Sequence, residues 1–406
     1  MTTGKNISRG RIPASWPGVS PGHVAILGAG PIGLDAALAC SDAGWSHTIY
    51  EAGDRAGAHV RAWQNASMFT PWSLNVSPRM RRHLEDAGQF VPDGETAPSG
   101  AELIADLIEP LGALPEIRSR LTLQARVVAV ARAGLLKHEE IGAATRASRP
   151  FRLMIDTADG EAAGSADLVL DCTGTYSVAN TLGDGGIPAL GERCTTIART
   201  LPDTSDPRRW KGVVVLVGAG KSAQTAARDL SALPDTRVEW IVRAEHPDWG
   251  RVENDSLPGR QRLVDTSHAL ARGDNDRVTV RTATHVASLE QQDGQVRVGI
   301  ATTTGPIKYL QADHVIGLTG YTGDASLYRQ LQVHECYATA APIALSAVLL
   351  GAESGDCLAQ PAVGFDVLRS PEPNFYILGS KSYGRLNTFL LRSGYEQVSD
   401  LVTAYT

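Results

Sequence analysis

Cysteine is sparse and scattered: Cys40, Cys172, Cys194, Cys336 and Cys357 are the only five in the chain. No two lie close enough in sequence for a metal knuckle or a CxxC redox pair, and structural disulfides are not indicated, which fits a reducing cytoplasm. Neither sign of charge gathers into a long block. With 38 basic and 44 acidic residues the net charge is −6, and the electrostatic footprint of a nucleic-acid binder is missing. Long apolar runs are missing too. The first 22 residues are polar and broken by three prolines, so they read as a flexible arm rather than a signal peptide or membrane span. The longest later apolar stretch, around Ala340 to Leu350, is too short to cross a bilayer and reads as a core helix. Neither GxSxG nor HExxH occurs, so no serine nucleophile elbow or zinc-protease helix is present.

What the chain does have is glycine, 41 residues of it in 406, punctuating short Ala-, Val- and Leu-rich segments. That pattern favours an α/β protein with two domains, or one domain carrying another inside it. His23 to Leu27 (HVAIL) reads as a buried parallel strand, and GAGPIG follows at once. In this GxGxxG, Gly28 permits the tight turn, Gly30 lets the backbone approach a pyrophosphate, and Gly33 lets the next helix pack against the strand. Pro31 opens that helix, whose N-terminus favours phosphate charge. A second strand, SHTIYE, ends in Glu51, about 20 residues on, where a carboxylate holds the ribose hydroxyls of an adenosine.

The pattern repeats between Lys211 and Arg243 as GVVVLVGAGKSAQTAARDLSALPDTRVEWIVR. Gly218, Gly220 and Ala223 form GxGxxA, the variant in which a small residue replaces the third glycine, with Lys221 and Ser222 as added donors. The letters GKS are not a Walker A loop, because its first glycine falls on Val215. Arg243 ends the second strand of this unit where Glu51 ended that of the first. A guanidinium there pairs with a 2′-phosphate that a carboxylate would repel, so NADPH is preferred over NADH. Arg260 reads mainly as a solvated loop arginine.

Two apolar strands, DLVLDCTGTY (Asp167 to Tyr176) and DHVIGLTGY (Asp313 to Tyr321), each run into a Thr-Gly pair on either side of the second unit. Together with the glycine motifs they resemble the crossovers of the two-dinucleotide-binding-domain flavoproteins, which include flavin-containing, Baeyer–Villiger and N-hydroxylating monooxygenases and thioredoxin reductases. The resemblance runs from about residue 23 to the end. It implies an α/β fold of two Rossmann-like domains, with an NADPH domain (196–320) inserted in an FAD domain (23–195 and 321–406). It further implies FAD at the first site, wrapped by the AGDRAGAHVRAW segment through Arg55 and Gly57. Crossover contacts would come from Thr173, Gly174, Gly320 and Tyr321, and C-terminal contacts from Gly379, Ser380 and Asn387. Ser380 stands where the family carries an aspartate toward the ribityl chain.

Two departures narrow the class. No histidine occurs between His138 and His246, so the FxG-x3-H monooxygenase fingerprint is absent, and the thioredoxin-reductase CxxC is absent as well. His59, Arg61, Tyr383 and Arg385 are the candidates beside the flavin ring, and Trp63, Phe69 and Trp72 the candidates to roof an aromatic pocket. The leading expectation is a cytoplasmic NADPH-dependent flavin monooxygenase that oxidises a small organic molecule with dioxygen through a flavin hydroperoxide. A reductase, dehydrogenase or oxidase without oxygen insertion is the first alternative, and an electron-transfer or redox-sensing flavoprotein the second.

Overall fold

A computed structural model describes residues 20–253, 255–351, 358 and 363–406. The expected N-terminal arm up to residue 19, and Cys357, lie outside the described residues. The first glycine unit is β1 (Val24–Leu27), α1 (Pro31–Asp42) and β2 (His47–Tyr50). All four residues of β1 are buried, because parallel neighbours flank it and layers cover both faces, which is why it reads as an unbroken apolar run. The parallel sheet has five strands in the order Phe375–Ile377, Leu168–Asp171, β1, β2, Leu121–Thr122. Val24 and Ile26 face α1 and the C-terminal helix Leu391–Tyr405. Ala25 and Leu27 face the other way, onto the antiparallel sheet formed by Ala125–Arg132, Phe151–Thr157 and Gly160–Ala166.

The second unit repeats this plan with β3 (Gly212–Val217), α2 (Lys221–Ser231) and β4 (Thr236–Ile241). Its four parallel strands run Val278–Arg281, β4, β3, His314–Gly317. Val214 and Leu216 pack on α2 and the helix Pro258–Arg272, and Val215 and Val217 on the antiparallel strands His285–Gln292, Gln295–Ala301 and Lys308–Ala312.

The chain leaves the first sheet after Leu168–Asp171 and returns to it at Phe375–Ile377, with the whole second sheet between. The outgoing and returning passes pair as a short antiparallel ribbon, Val178–Ala179 with Tyr321–Thr322. Asn180 Nδ2 donates to the Thr319 carbonyl at 3.1 Å, and Thr319 Oγ1 donates to the Asn180 carbonyl at 2.7 Å. Beyond this ribbon Leu182 and Ala189 already share a core with Val215 and Val217, so packing with the second sheet begins ahead of residue 196. The stretch expected as a core helix forms Ile343–Gly351, but Leu345 and Leu349 are buried while Ile343 and Leu350 are exposed, so only one of its faces belongs to the core. Among the described residues no helix is long and apolar enough to cross a membrane.

Candidate dinucleotide sites

Three turns meet at the C-terminal ends of β1, Leu168–Asp171 and Phe375–Ile377, the edge at which parallel α/β sheets bind ligands. Gly28 has φ +96°, and a Cβ there would lie 2.8 Å from the Cys172 carbonyl oxygen. At Gly33 a Cβ would lie 1.9 Å from the Gly28 carbonyl oxygen, so the third glycine is required for packing of helix on strand. Gly30 differs from both. Its φ of −79° suits any residue, yet a Cβ would meet nothing within 4 Å. The space left beside it is a cradle at the uncapped N-terminus of a 12-residue helix. Pro31, at the first helical position, has no N–H and starts the helix rather than donating to a ligand.

Glu51 is only 7% exposed, which rules out a strand end dangling in solvent. Its Oε2 accepts the Ala29 N–H and its Oε1 the Gly53 N–H, each at 2.8 Å, so the carboxylate is aimed beside the glycine turn with a lone pair to spare on each oxygen. A Cβ on Gly174 (φ +70°) would lie 3.5 Å from Ser380 Oγ, so the first crossover and the C-terminal turn stand side by side. Gly379 (φ +72°) donates its N–H to Gln397 Oε1 at 2.8 Å. Open helix amides, an oriented carboxylate and a surface free of Cβ atoms fit a pyrophosphate and an adenosine ribose. Gly57 has a structural reason of its own: φ is +74°, and a Cβ would press on Ile108 at 2.9 Å. Arg55 is exposed and pairs with Asp54 at 3.6 Å.

In the second unit Gly218 (φ +128°) would place a Cβ 2.2 Å from the Leu318 carbonyl oxygen, and Gly220 again faces open space. Ala223 is fully buried, its methyl filling the contact between helix and strand. Lys221 departs from expectation. Its ammonium donates to the Trp249 carbonyl at 2.7 Å and the Gly250 carbonyl at 3.2 Å, and burial pushes its pKa down to about 8. It ties down the 249–250 turn instead of reaching for phosphate. Ser222 and Arg243 are exposed, Arg243 just beyond β4. Gln224 was invisible as a motif residue. It is buried and donates to the Ala219 carbonyl at 2.9 Å and the Trp249 carbonyl at 3.0 Å. Arg260 corrects another expectation: it is buried in a helix, and its Nε and one terminal nitrogen hold both Asp255 oxygens at 2.6 and 2.7 Å.

At the crossing, rings from three parts of the chain meet. Tyr176 lies 6.1 Å from His59, stacks on Trp63 at 6.4 Å and lies 4.9 Å from Tyr321, measured between ring centres. Tyr321 Oη donates to the Arg199 carbonyl at 2.5 Å, and Gly320 beside it has φ +86°. Partial burial lowers the His59 pKa, opposed by the nearby Glu51 carboxylate. The other ring-side candidates fare less well. Arg61 donates to Glu109 at 2.7 Å, bracing two short helices. Tyr383 is 2% exposed and packs edge-on against Phe389 at 5.3 Å, so its ring belongs to the core. Trp72 is core as well. Phe69 abuts Gly259 of the second unit. Arg385 and Asn387 are exposed, and the Arg385 N–H donates to the Thr339 carbonyl at 2.7 Å.

Among the buried ion pairs that sequence reasoning passed over, one stands at this sheet edge. Lys381 Nζ donates to Asp171 Oδ2 at 2.7 Å and to Thr173 Oγ1 at 3.2 Å. Thr173 Oγ1 in turn donates to Asp171 Oδ1 at 2.6 Å. The available signals were a carboxylate closing the otherwise apolar strand LVLD and a lysine straight after Gly379–Ser380.

No family model matches the chain. A 59-residue stretch is 42% identical to an L-amino-acid oxidase of Gloydius halys and 44% to that of Gloydius blomhoffii, which is 14% of this chain and 11% of each relative's length. Solved structures match along nearly the whole chain. The bacillithiol disulfide reductase Bdr of Bacillus cereus is 18% identical with a TM-score of 0.66, over 94% of this chain and 97% of its own. The ornithine N-hydroxylase of Kutzneria sp. 744 is 15% identical with a TM-score of 0.61, over 94% and 98%. The cadaverine monooxygenase DfoA of Erwinia amylovora is 13% identical with a TM-score of 0.63, over 96% and 95%. With two parallel sheets, each ending in its own glycine turn and joined by a double crossover, the chain has the fold of the two-dinucleotide-binding-domain flavoproteins.

Proposed function

We propose that this chain is an FAD-dependent oxidoreductase reduced by NADPH, and specifically a cytoplasmic monooxygenase acting on a small organic molecule with dioxygen. The observation that carries the reading is the pair of matching cradles: Gly30 and Gly220 each leave open space at an uncapped helix N-terminus. Gly28, Gly30, Glu51, Gly174 and Ser380 would hold FAD. Gly218, Gly220, Ala223 and Arg243 would hold NADPH. Bound flavin supplies hydride acceptance and electron delivery; the protein positions it and limits water at the crossing. His59, Trp63, Tyr176 and Tyr321 are the side chains on hand for that second task. We place the domain crossings at the paired ribbon, near Asn180 and Gly320, instead of at 195 on the outgoing pass.

A reductase or oxidase without oxygen insertion is the second reading, favoured by the absence of histidine between His138 and His246. Anaerobic reduction by NADPH, then admission of ¹⁸O₂ with candidate amines and aromatic compounds, tests the proposal. Label in the product supports a monooxygenase. Full reoxidation yielding hydrogen peroxide with every substrate tried would instead support an oxidase. Failure of NADPH to reduce the bound flavin would remove the nicotinamide reading altogether.

A further inference from the structure

The Asp171–Lys381 pair lies directly behind the three turns of the first cradle. A Cβ on Gly28 would lie 3.3 Å from Thr173 Cα, and Thr173 is bonded to both members of the pair. Lys381 follows Ser380, the residue beside Gly174. Asp171 is fully buried and Lys381 is 3% exposed. The lysine stem runs against Gly323, where a Cβ would lie 2.6 Å from its Cγ. On its far side the ammonium faces the Tyr328 ring at 5.1 Å, whose hydroxyl donates to Glu335 at 2.6 Å. Glu335 and Asp324 are the next charges in that direction.

A dry ion pair is a costly way to hold two turns together, since apolar side chains of similar volume do so as well or better. What it adds is a balanced pair of full charges where solvent screens them little. We infer that Asp171 and Lys381 set the reduction potential of the flavin in the first cradle, as positioning residues acting on its charge through the surrounding turns. This rests on the reading of that cradle as an FAD site. Reduction adds negative charge to the flavin, so an unbalanced ammonium favours the reduced form and an unbalanced carboxylate the oxidised form.

The test is the midpoint potential of FAD-bound protein, measured by dye equilibration. Lys381→Gln is expected to lower it and Asp171→Asn to raise it. Each shift corresponds to about a tenfold change in the affinity ratio of reduced to oxidised FAD, or about 30 mV for a two-electron couple. Opposite signs are the signature, because a merely structural role would weaken FAD binding in both variants without moving the potential in opposite directions. Shifts of the same sign, or an unmoved potential with FAD bound, overturn the proposal. Each variant decides by itself. Should Lys381→Gln fail to fold, Lys381→Arg keeps the charge and is expected to keep the potential, and a clear fall there also overturns the proposal. A wild-type chain that binds no FAD fails the cofactor reading before any potential is measured.

Discussion

Lys221 Nζ lies 2.7 Å from the carbonyl oxygen of Trp249, so the lysine of the second glycine motif serves as a strut under a neighbouring turn. Trp249 is itself buried against Trp240, with ring centres 4.7 Å apart. Because burial lowers the Lys221 pKa to about 8, the unfolded chain binds more protons than the folded one between that value and the ordinary lysine value of about 10.4. Stability from this group therefore rises with pH across that window. Urea melts of wild type and Lys221→Met at pH 7 and pH 9.5 should show the difference moving in favour of wild type at the higher pH. A pH-independent difference would mean that the ammonium is not desolvated.

Gly30→Val should fold normally and lose FAD. Its backbone angles suit valine and its Cβ meets no protein atom, so the branched side chain intrudes only on the bound pyrophosphate. Thermal melts and flavin absorbance after gel filtration check the two halves of this statement. Gly33→Ala, whose methyl would collide with the Gly28 carbonyl, should lower stability itself. Full FAD occupancy in Gly30→Val would move the site elsewhere.

Gly220→Val is the matching change in the second unit, where open space again faces the helix N-terminus. FAD should stay bound while the Michaelis constant for NADPH rises steeply. Steady-state kinetics beside a flavin count would show it, and parallel loss of FAD would contradict independent sites.

Arg243→Ala should raise the Michaelis constant for NADPH roughly tenfold or more and leave NADH nearly unchanged, since a charge-assisted contact is worth about 1.5–3 kcal/mol. Arg243 is exposed just past β4, so its loss carries little cost to folding. Equal effects on both coenzymes would point to a general electrostatic role.

His59→Ala should alter reoxidation of the flavin, or its coupling to product, while hydride transfer from NADPH stays near normal. Its ring lies 6.1 Å from that of Tyr176 at the crossing, and the charged groups that act on it are Glu51 and Arg126, both outside the second unit. Stopped-flow absorbance of the two half-reactions separates these effects. Loss of both together with FAD would make His59 a residue of the cofactor site.

The glycine turns were legible because each required glycine answers to a local constraint, a positive φ at Gly28 and Gly218 or a helix contact at Gly33. The strands around them were legible because parallel strands covered on both faces read as continuous apolar runs. Side-chain roles were harder to read. Tyr383 sits close to the Gly379 turn in sequence, yet it points into the core, which a short helix of four residues does not reveal. Asp171 and Lys381 are 210 residues apart, and nothing local in either segment announces the other. Arg260 was misread because its partner Asp255 lies in a loop whose path only the folded chain shows.

The ribbon of Val178–Ala179 with Tyr321–Thr322 has a modular consequence. The two ends of the segment between Asn180 and Gly320 are neighbours, about one inter-strand spacing of 4.8 Å apart. The chain thus passes out to the second sheet and back through a single doorway, with the four residues of that ribbon carrying both passes.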